Sequence, residues 1–535
     1  MQNKASYLII TSLLLGWLFD VLFWKQQLLG VSFAIYVCAT LIAGFALLQL
    51  TGSRAAKWTL LLLPPILFFA CMTFVRLEAL SLTLAYLSTL LLMGVFVVTF
   101  QGGRWLQYGI VDYFVKAVDL CVSAIGRPLG YGIKERQAKP DAVEGEEVKK
   151  RSVNVWGVVR GLLLAIPVLA FFAALLSSAD PVFAERIKSL TELLKIDNLP
   201  EYIFRVIYIC VIAYGLSGIF LHAATRSQDE KLLGQEKPLL PAFFGFTEAA
   251  IVLGSVILLF GSFVTIQFQY FFGGQANIKV AGFTYAEYVH RGFGELVAVA
   301  FFALLLFVAL STVVKRETDI KRMVFSALGT LLFALVAVIL ASAYQRLVLY
   351  EAAYGFTRLR TYIHVFMVWV ALLLAAVVVL DWLQRQRVFA LVAVLAALGF
   401  AATLMLMNVD GFIASQNIAR VAQGKELDTS YLASLSSDAV PTLVSFYQSP
   451  VPDAATHDKL GAALACFKAA EAATVQNQGQ PSWQSFHLSN FWEQAGLAVV
   501  QDDLKAYTIS SSDSGWRSAK TPLGKSYDCY GYFSD

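Results

Sequence analysis

The sequence predicts an all-α polytopic membrane bundle of about eleven spans followed by a soluble helical tail, and three observations carry that reading. Hydrophobic residues make up 58% of the 535 and charged residues only 15%, against about 45–50% and about 25% in an ordinary soluble domain. Apolar runs long enough to cross a bilayer core, about 20 residues each, recur from the N-terminus as far as residue 407. Beyond that point the composition turns soluble. A helix in hydrocarbon can be apolar all round, whereas one in water needs a polar face.

The runs fall at roughly 6 to 24, 29 to 50, 56 to 75, 80 to 100, 155 to 178, 199 to 223, 243 to 266, 292 to 314, 323 to 343, 364 to 383 and 388 to 407. The first passes through Gly16, Trp17 and Asp20 with no small-residue cleavage site, so it reads as a retained anchor. Pro64 and Pro65 in the third run and Pro167 in the fifth are expected to kink their helices. The chain accordingly divides into a four-span region (1–103), an amphipathic helix and flexible loop (104–154), a seven-span region (155–407) and the tail (408–535).

Orientation follows from Lys and Arg, which concentrate in cytoplasmic loops. With the N-terminus inside, that side holds Lys4, Arg54, Lys57, the basic run from Arg104 to Arg151, Arg226, Lys231, Lys237, Lys315, Arg316, Lys321, Arg322, Arg385 and Arg387. The opposite short loops hold fewer. An odd number of spans then places the tail outside. Cys466 and Cys529 fall in that tail, and an even pair in an oxidising compartment suits a disulfide; two unrelated thiols are the alternative.

Two segments that do not span look interfacial. Leu106, Val111, Phe114, Val115, Val118, Val122 and Ile125 recur at helical spacing opposite Arg104, Asp112, Lys116, Asp119 and Ser123, which predicts a helix lying on the cytoplasmic membrane surface. Ile187, Leu190, Leu193 and Leu194 form a second stripe on the outer side. The stretch from Gln137 to Ser152 reads as a solvated loop.

Ionisable residues near a bilayer are costly and therefore draw attention. In the outer segment Tyr285–Glu295, the residues Glu287, Arg291 and Glu295 fall four apart on one helical face, a spacing that favours ion pairing at a helix entry; a binding or proton-handling role is the sharper alternative. His290 and Glu295 match a two-residue H-x4-E pattern, a weak signal. From Tyr344 to Tyr362, aromatic and charged residues interleave. There Arg346, Tyr350, Glu351, Tyr354, Arg358 and Arg360 read either as an aromatic belt with headgroup-level arginines or as a site for an anionic substrate or lipid headgroup. Within the spans, Asp20, Arg160, Arg205, Glu248 and Asp381 stand out, yet no series of charges crosses the middle and no repeat between halves is visible.

Catalytic motifs are not readable. Gly524-Lys525-Ser526 lacks the upstream glycine of a phosphate loop, and no H-E-x-x-H or G-x-S-x-G occurs. Five scattered histidines give no metal site, and no cofactor is implied. A net charge of +4, from 41 Lys and Arg against 37 Asp and Glu, offers no basic surface for nucleic acid.

In the tail, Ile413, Ile418 and Val421 recur at helical spacing, and helices are expected near Tyr431–Leu435, Ala439–Tyr447 and Lys459–Ala472. Pro441 suits a first helical turn after Ser437 or Asp438 as cap. The aromatic segment Trp483–Trp492 is expected to dock within the tail.

Ala179-Asp-Pro-Val-Phe183, Arg291-Gly-Phe-Gly-Glu-Leu296, Leu349-Tyr-Glu-Ala-Ala-Tyr-Gly-Phe-Thr-Arg-Leu-Arg360, and Asn408-Val-Asp with Tyr431–Pro441 resemble a bacterial membrane family, domain of unknown function 4173, related to 4153. The likeness covers about Val155 to Trp492 and implies a bacterial inner membrane but no activity. The sequence therefore supports three readings. The first is a non-enzymatic envelope sensor, scaffold or partner of other envelope proteins. The second is a transporter or lipid-handling protein with an outward Arg/Glu/Tyr cavity that meets anionic headgroups, and the third a membrane-embedded transferase using Glu287, His290, Glu295 or Glu351. In each the lipid bilayer is the first partner.

Overall fold

The structure is a computed structural model that describes residues 2–26, 28–50, 52–137, 172, 199–228, 232, 243–272, 293–450, 453–511 and 517–529. Ten helices among these residues are long and apolar enough to cross a membrane, and the chain is a multi-pass helical membrane protein. The expected run at 155–178 apart from Phe172, the expected stripe near 187–194 and the loop after Gln137 lie outside the described residues, as do Glu287, His290 and Arg291.

The membrane helices are α1 (Gln2–Phe23), α2 (Val31–Leu50), a short α3 (Lys57–Leu60) continuing into α4 (Leu63–Val75), α5 (Ala79–Val98), α7 (Leu199–Thr225), α8 (Phe246–Phe272), α9 (Phe293–Val313), α10 (Asp319–Tyr354), α11 (Arg358–Trp382) and α12 (Phe389–Met407). Between α5 and α7 lies α6 (Ile110–Gln137). Pro64 and Pro65 do not kink the interior of a continuous helix. They open α4 at its first turn, where a missing N–H costs nothing within the helix, and the chain breaks after Leu60 because neither proline can donate to the carbonyl four residues back.

The helices form two groups. α7 packs on α1, α2, α5 and α6, while α8, α9, α10 and α11 pack together, and α12 touches both α11 and α5. The second group buries Leu253, Ala300, Phe325, Leu332, Val336 and Leu347 completely, and in lipid such a core is held by close side-chain packing rather than by removal from water. The outward surfaces of both groups carry large apolar side chains such as Leu14, Ile42, Leu90, Val206 and Leu258, as lipid-facing surfaces do. α6 turns Ile110, Phe114, Val118, Val122, Ile125 and Leu129 outward while Asp112 and Ser123 are buried against the protein.

α10 is 36 residues long, about 54 Å at 1.5 Å per residue, against a hydrocarbon core of about 30 Å. Its last turns therefore project beyond the core. It ends at Gly355, whose φ is 89°, a conformation that glycine adopts without a steric penalty.

The tail continues from α12 through Asn408, held left-handed at φ 53° as both the end of α12 and the cap of α13 (Val409–Ala419). There follow α14 (Thr429–Ala433), α15 (Val440–Tyr447), α16 (Ala454–Gln478) and α17 (Leu488–Val499). The tail is not wholly helical. It ends in a three-stranded antiparallel sheet of β1 (Thr508–Ser511), β2 (Arg517–Lys520) and β3 (Ser526–Asp528), in that order, and Cys466 in α16 is disulfide-bonded to Cys529 just after β3. One hydrophobic core runs through the tail and includes Val365 and Leu404 from the membrane helices.

Candidate functional site

The polar residues at the tail end of the bundle gather into two neighbouring clusters. The first is built on Asp438, which lies in a one-turn 3-10 helix before α15 and is 3% exposed. Its side chain does not cap its own helix. Instead Oδ2 accepts from the backbone N–H groups of Leu77, at 2.8 Å, and Glu78, at 3.0 Å, and from the Ser436 hydroxyl at 3.2 Å, while Oδ1 accepts from Ser489. Arg76 approaches Oδ1 to 3.7 Å and donates to the Met405 carbonyl at 2.8 Å. Glu78 in turn caps α5 by accepting from the N–H groups of Leu80 and Ser81, both at 2.8 Å, and it also receives the Tyr362 hydroxyl.

Asp410, completely buried in the first turn of α13, receives a two-pronged contact from Arg358, Nε at 2.8 Å and Nη2 at 2.6 Å, and the Ser436 N–H at 2.6 Å. The flat guanidinium fork suits a carboxylate in this way. The Arg358 N–H donates to the Tyr431 hydroxyl at 2.9 Å. Asp410 and Asp438 thus converge on Ser436, one fastening the tail to the start of α11 and the other to the turn between α4 and α5.

The second cluster surrounds Glu351 on the projecting end of α10. Glu351 is 2% exposed and sits 3.1 Å from His364 Nδ1 on α11, with the Tyr344 ring edge-on to the imidazole at 4.7 Å. The Arg360 guanidinium lies 4.2 Å from the centre of the Tyr350 ring and donates to the Gly355 carbonyl. Arg420 reaches in from the tail to the Ala352 carbonyl at 3.0 Å. A side chain at residue 355 would bring Cβ within 2.7 Å of Arg420 Nη1, a second reason for glycine there. Burial, reinforced by the charge of Arg360, lowers the Arg420 pKa below the ordinary arginine value. His364 Nε2, Arg420 Nε and Thr361 Oγ1 are buried without a hydrogen-bond partner in the protein.

Of the residues singled out from sequence, the structure brings Tyr350, Glu351 and Arg360 together, with Arg346 one helical turn before Tyr350. Arg358 is directed away from them, to Asp410. Tyr354 is exposed at the end of α10, and Glu295 is exposed in the first turn of α9. Reading the sequence missed Asp438 and Asp410 as tethers, His364 as the neighbour of Glu351, and the arrival of Arg420. The Asn408-Val-Asp410 string directly after the last span was the available signal for one of them.

The acidic residues noted inside spans are each held by a local partner. Asp20 takes the Arg205 fork at 2.5–3.2 Å. Asp381 takes Arg316 at 3.2 Å, Ser326 at 2.6 Å and Gln386 at 2.8 Å, and Glu248 caps the start of α8 through the Gly245 N–H. Arg160 lies outside the described residues.

The aromatic segment docks differently from expectation. Its helix, α17, does pack on α15, but the preceding turn lies on the loop between α1 and α2. There Val31 N–H donates to the Phe486 carbonyl at 3.0 Å, Ser482 donates to Gln26 at 2.5 Å, and Gly30 packs so closely on Phe486 that no side chain fits. Ser489 also donates to the Val75 carbonyl at 2.7 Å. A buried hydroxyl seeks an acceptor, and these acceptors lie on the bundle.

Nearby, Glu493 is 8% exposed, and burial raises its pKa from 4.5 to about 7, a Ser437 hydrogen bond opposing the shift and the Glu471 charge adding to it. A carboxyl whose folded pKa exceeds its unfolded value binds a proton more tightly when folded. Its contribution is present in full below about pH 4.5 and is lost as pH rises through about 7, amounting to about 3 kcal/mol. Glu493→Gln is accordingly expected to raise the melting temperature of the tail at pH 8 and leave it nearly unchanged at pH 4.5, as followed by thermal unfolding of the reconstituted protein. His487, whose pKa burial lowers, has the opposite sign, stabilising above histidine's ordinary value and losing that contribution as pH falls. Wild type and the Glu493→Gln variant share this term, so it cancels in the comparison.

Residues 8–446 match the family described as Domain of unknown function (DUF4153), and the chain belongs to that family. No curated protein and no solved structure matches it. The family description carries no activity, and the polytopic membrane class rests on the ten apolar helices among the described residues.

Proposed function

We propose that this protein is a non-enzymatic component of a bacterial envelope, seated in the inner membrane, which presents its tail on the extracytoplasmic side as a rigid platform for sensing or for another envelope component. The observation that carries this reading is the double tether of the tail through Asp410 and Asp438. Arg358, one of the charged residues that would line an outward cavity, is instead engaged in fastening the tail through Asp410. A tethered tail transmits position between bundle and envelope, which a flexible one does not.

The orientation rests on the Lys and Arg distribution. It is also supported by the course of the helices. α5 ends beside the end of α7, where Gly102 N–H donates to the Ser227 carbonyl at 2.7 Å, while the start of α7 meets the far end of α1 through Glu201 and Trp24 at 3.0 Å. That arrangement puts the end of α5 and the start of α7 at opposite ends of the bundle.

The test is photocrosslinking in living cells from an aryl-ketone amino acid at position 492, where Trp492 is 43% exposed. A discrete protein adduct that disappears in Asp438→Asn, at unchanged membrane insertion, is the expected result. An adduct that persists with the tether broken, or a reporter fused after Asp535 that is active only in the cytoplasm, would sink the reading. The transport or lipid-handling alternative draws support from the unpartnered buried atoms around Glu351. It would be favoured if Arg346→Ala abolished function at unchanged folded yield.

A further inference from the structure

At the end of the bundle that carries the basic loops, α4, α5 and α12 leave a cleft of about 500 Å³ between them. Its walls are Leu61, Pro65, Phe68, Leu91, Val95 and Leu395, with Trp105 and Tyr113 closing the end nearest the loops. The roof is fixed, since the Trp105 indole donates to the Trp58 carbonyl at 2.9 Å and the Tyr113 hydroxyl to the Trp105 carbonyl at 3.1 Å. The helix break before Pro64 and Pro65 places Leu61 and Leu62 in the wall rather than in a closed helical stack. Leu61, Leu91 and Leu395 are each more than half exposed, so the cleft opens sideways, toward lipid rather than toward water.

The rim is basic. Lys57 stands one turn before Leu61, and Arg104 immediately precedes Trp105. The one-turn helix Gln386–Val388, flanked by Arg385 and containing Arg387, packs on the Trp105–Gln107 turn. The side chains of Lys57, Arg104, Arg385 and Arg387 are all exposed. The carboxylates facing this rim are Asp112, buried and accepting the Gly109 N–H at 2.8 Å, and Asp381, held by Arg316. Positive charge therefore prevails at the loop end of the apolar slot.

We infer that this cleft is a binding site for an anionic phospholipid of the adjoining leaflet, one acyl chain lying between α4, α5 and α12 and the phosphate resting on the Lys57, Arg104, Arg385 and Arg387 rim. Charge complementarity selects the occupant. An apolar helix of a partner would fill the slot without using the rim, and a free phosphate would use the rim without filling the slot. The assignment depends on the basic end of the bundle alone, so it stands or falls separately from the platform proposed for the tail.

The test uses the full chain in mild detergent, with native mass spectrometry after addition of dioleoylphosphatidylglycerol, dioleoylphosphatidylcholine or glycerol 1-phosphate. Wild type is expected to retain the tightest-held phosphatidylglycerol at least about fivefold more than phosphatidylcholine, in keeping with the attraction of one surface cation for an anionic lipid. Glycerol 1-phosphate alone is expected not to bind. Leu91→Trp and Leu395→Trp, which fill the cleft from different helices, should each abolish retention of the tightest-held lipid. Lys57→Gln with Arg385→Gln should lower the preference at least about fivefold or to parity while leaving phosphatidylcholine retention as it was. Because both tryptophan variants alter lipid-facing positions on separate helices, misfolding of one, judged by its elution and melting temperature, leaves the other to decide. Equal retention of the two lipids by wild type, retention unaffected by filling the cleft, or binding of glycerol 1-phosphate comparable to that of lipid overturns the site.

Discussion

Asp438→Ala is expected to release the tail from the bundle and to lower the yield of folded protein severely. The substitution leaves the N–H groups of Leu77 and Glu78 and the hydroxyl of Ser436 without the acceptor they now share, while Ser489 keeps the Val75 carbonyl. Each buried donor so stranded costs about 1–3 kcal/mol, so the sum is on the order of 5 kcal/mol, comparable with the whole stability of many domains. Arg358→Ala should do nearly as much. It leaves Asp410, completely buried, with only the Ser436 N–H, and removing one partner of such a pair costs about 3–5 kcal/mol. Fluorescence-detected size exclusion gives the yield, and limited proteolysis between α12 and α13 reports release of the tail. Either variant folding at wild-type yield with a protease-resistant tail would refute the tethering role of that residue.

The second large effect concerns the disulfide. Cys466 and Cys529 are separated by 63 residues, and closing a loop of that size is worth about 4 kcal/mol in the chain-entropy account. Cys466→Ala with Cys529→Ala is expected to lower the melting temperature of the tail and to expose β1–β3 to protease, since the bond fixes the end of the sheet to α16. The measurement is thermal unfolding with and without reductant. Reductant should reproduce the double variant in wild type and change nothing further in the variant. An unchanged melting temperature in both would show that the sheet is held by packing, Ala519 and the Tyr507 region sufficing.

Much of the bundle was legible because lipid imposes a length and a composition on every span, and these survive in sequence without knowledge of the neighbours. The clusters at the tail end were less legible because their partners are remote in the chain. Asp438 meets Leu77 across 361 residues and Arg358 meets Asp410 across 52. Local reasoning assigned Asp438 to the nearest helix, where a cap was plausible, and assigned Arg358 to the arginines beside it. The small sheet was missed for a different reason. Thr508–Ser511 and Arg517–Lys520 are short and mostly polar, with Ile509 and Ala519 their only apolar members, so they lack the alternation by which strands are read. The prolines show a third limit. Their effect on backbone hydrogen bonding was readable, but whether they bend a helix or begin one depends on where the preceding turn stops.

The contact between Gly30 and Phe486 also bears on how the protein is made. The α1–α2 hairpin is synthesised well before the tail, yet the surface of its connecting loop is completed by a turn more than four hundred residues later in the chain. Contacts so distant in sequence are slow to form, and on the proposed topology this one also waits for the last segment to pass through the membrane. That hairpin would wait through the synthesis of the later helices with its connecting loop uncovered. Closure of that loop would then be among the last events of assembly, a natural point at which an unfinished molecule differs from a finished one.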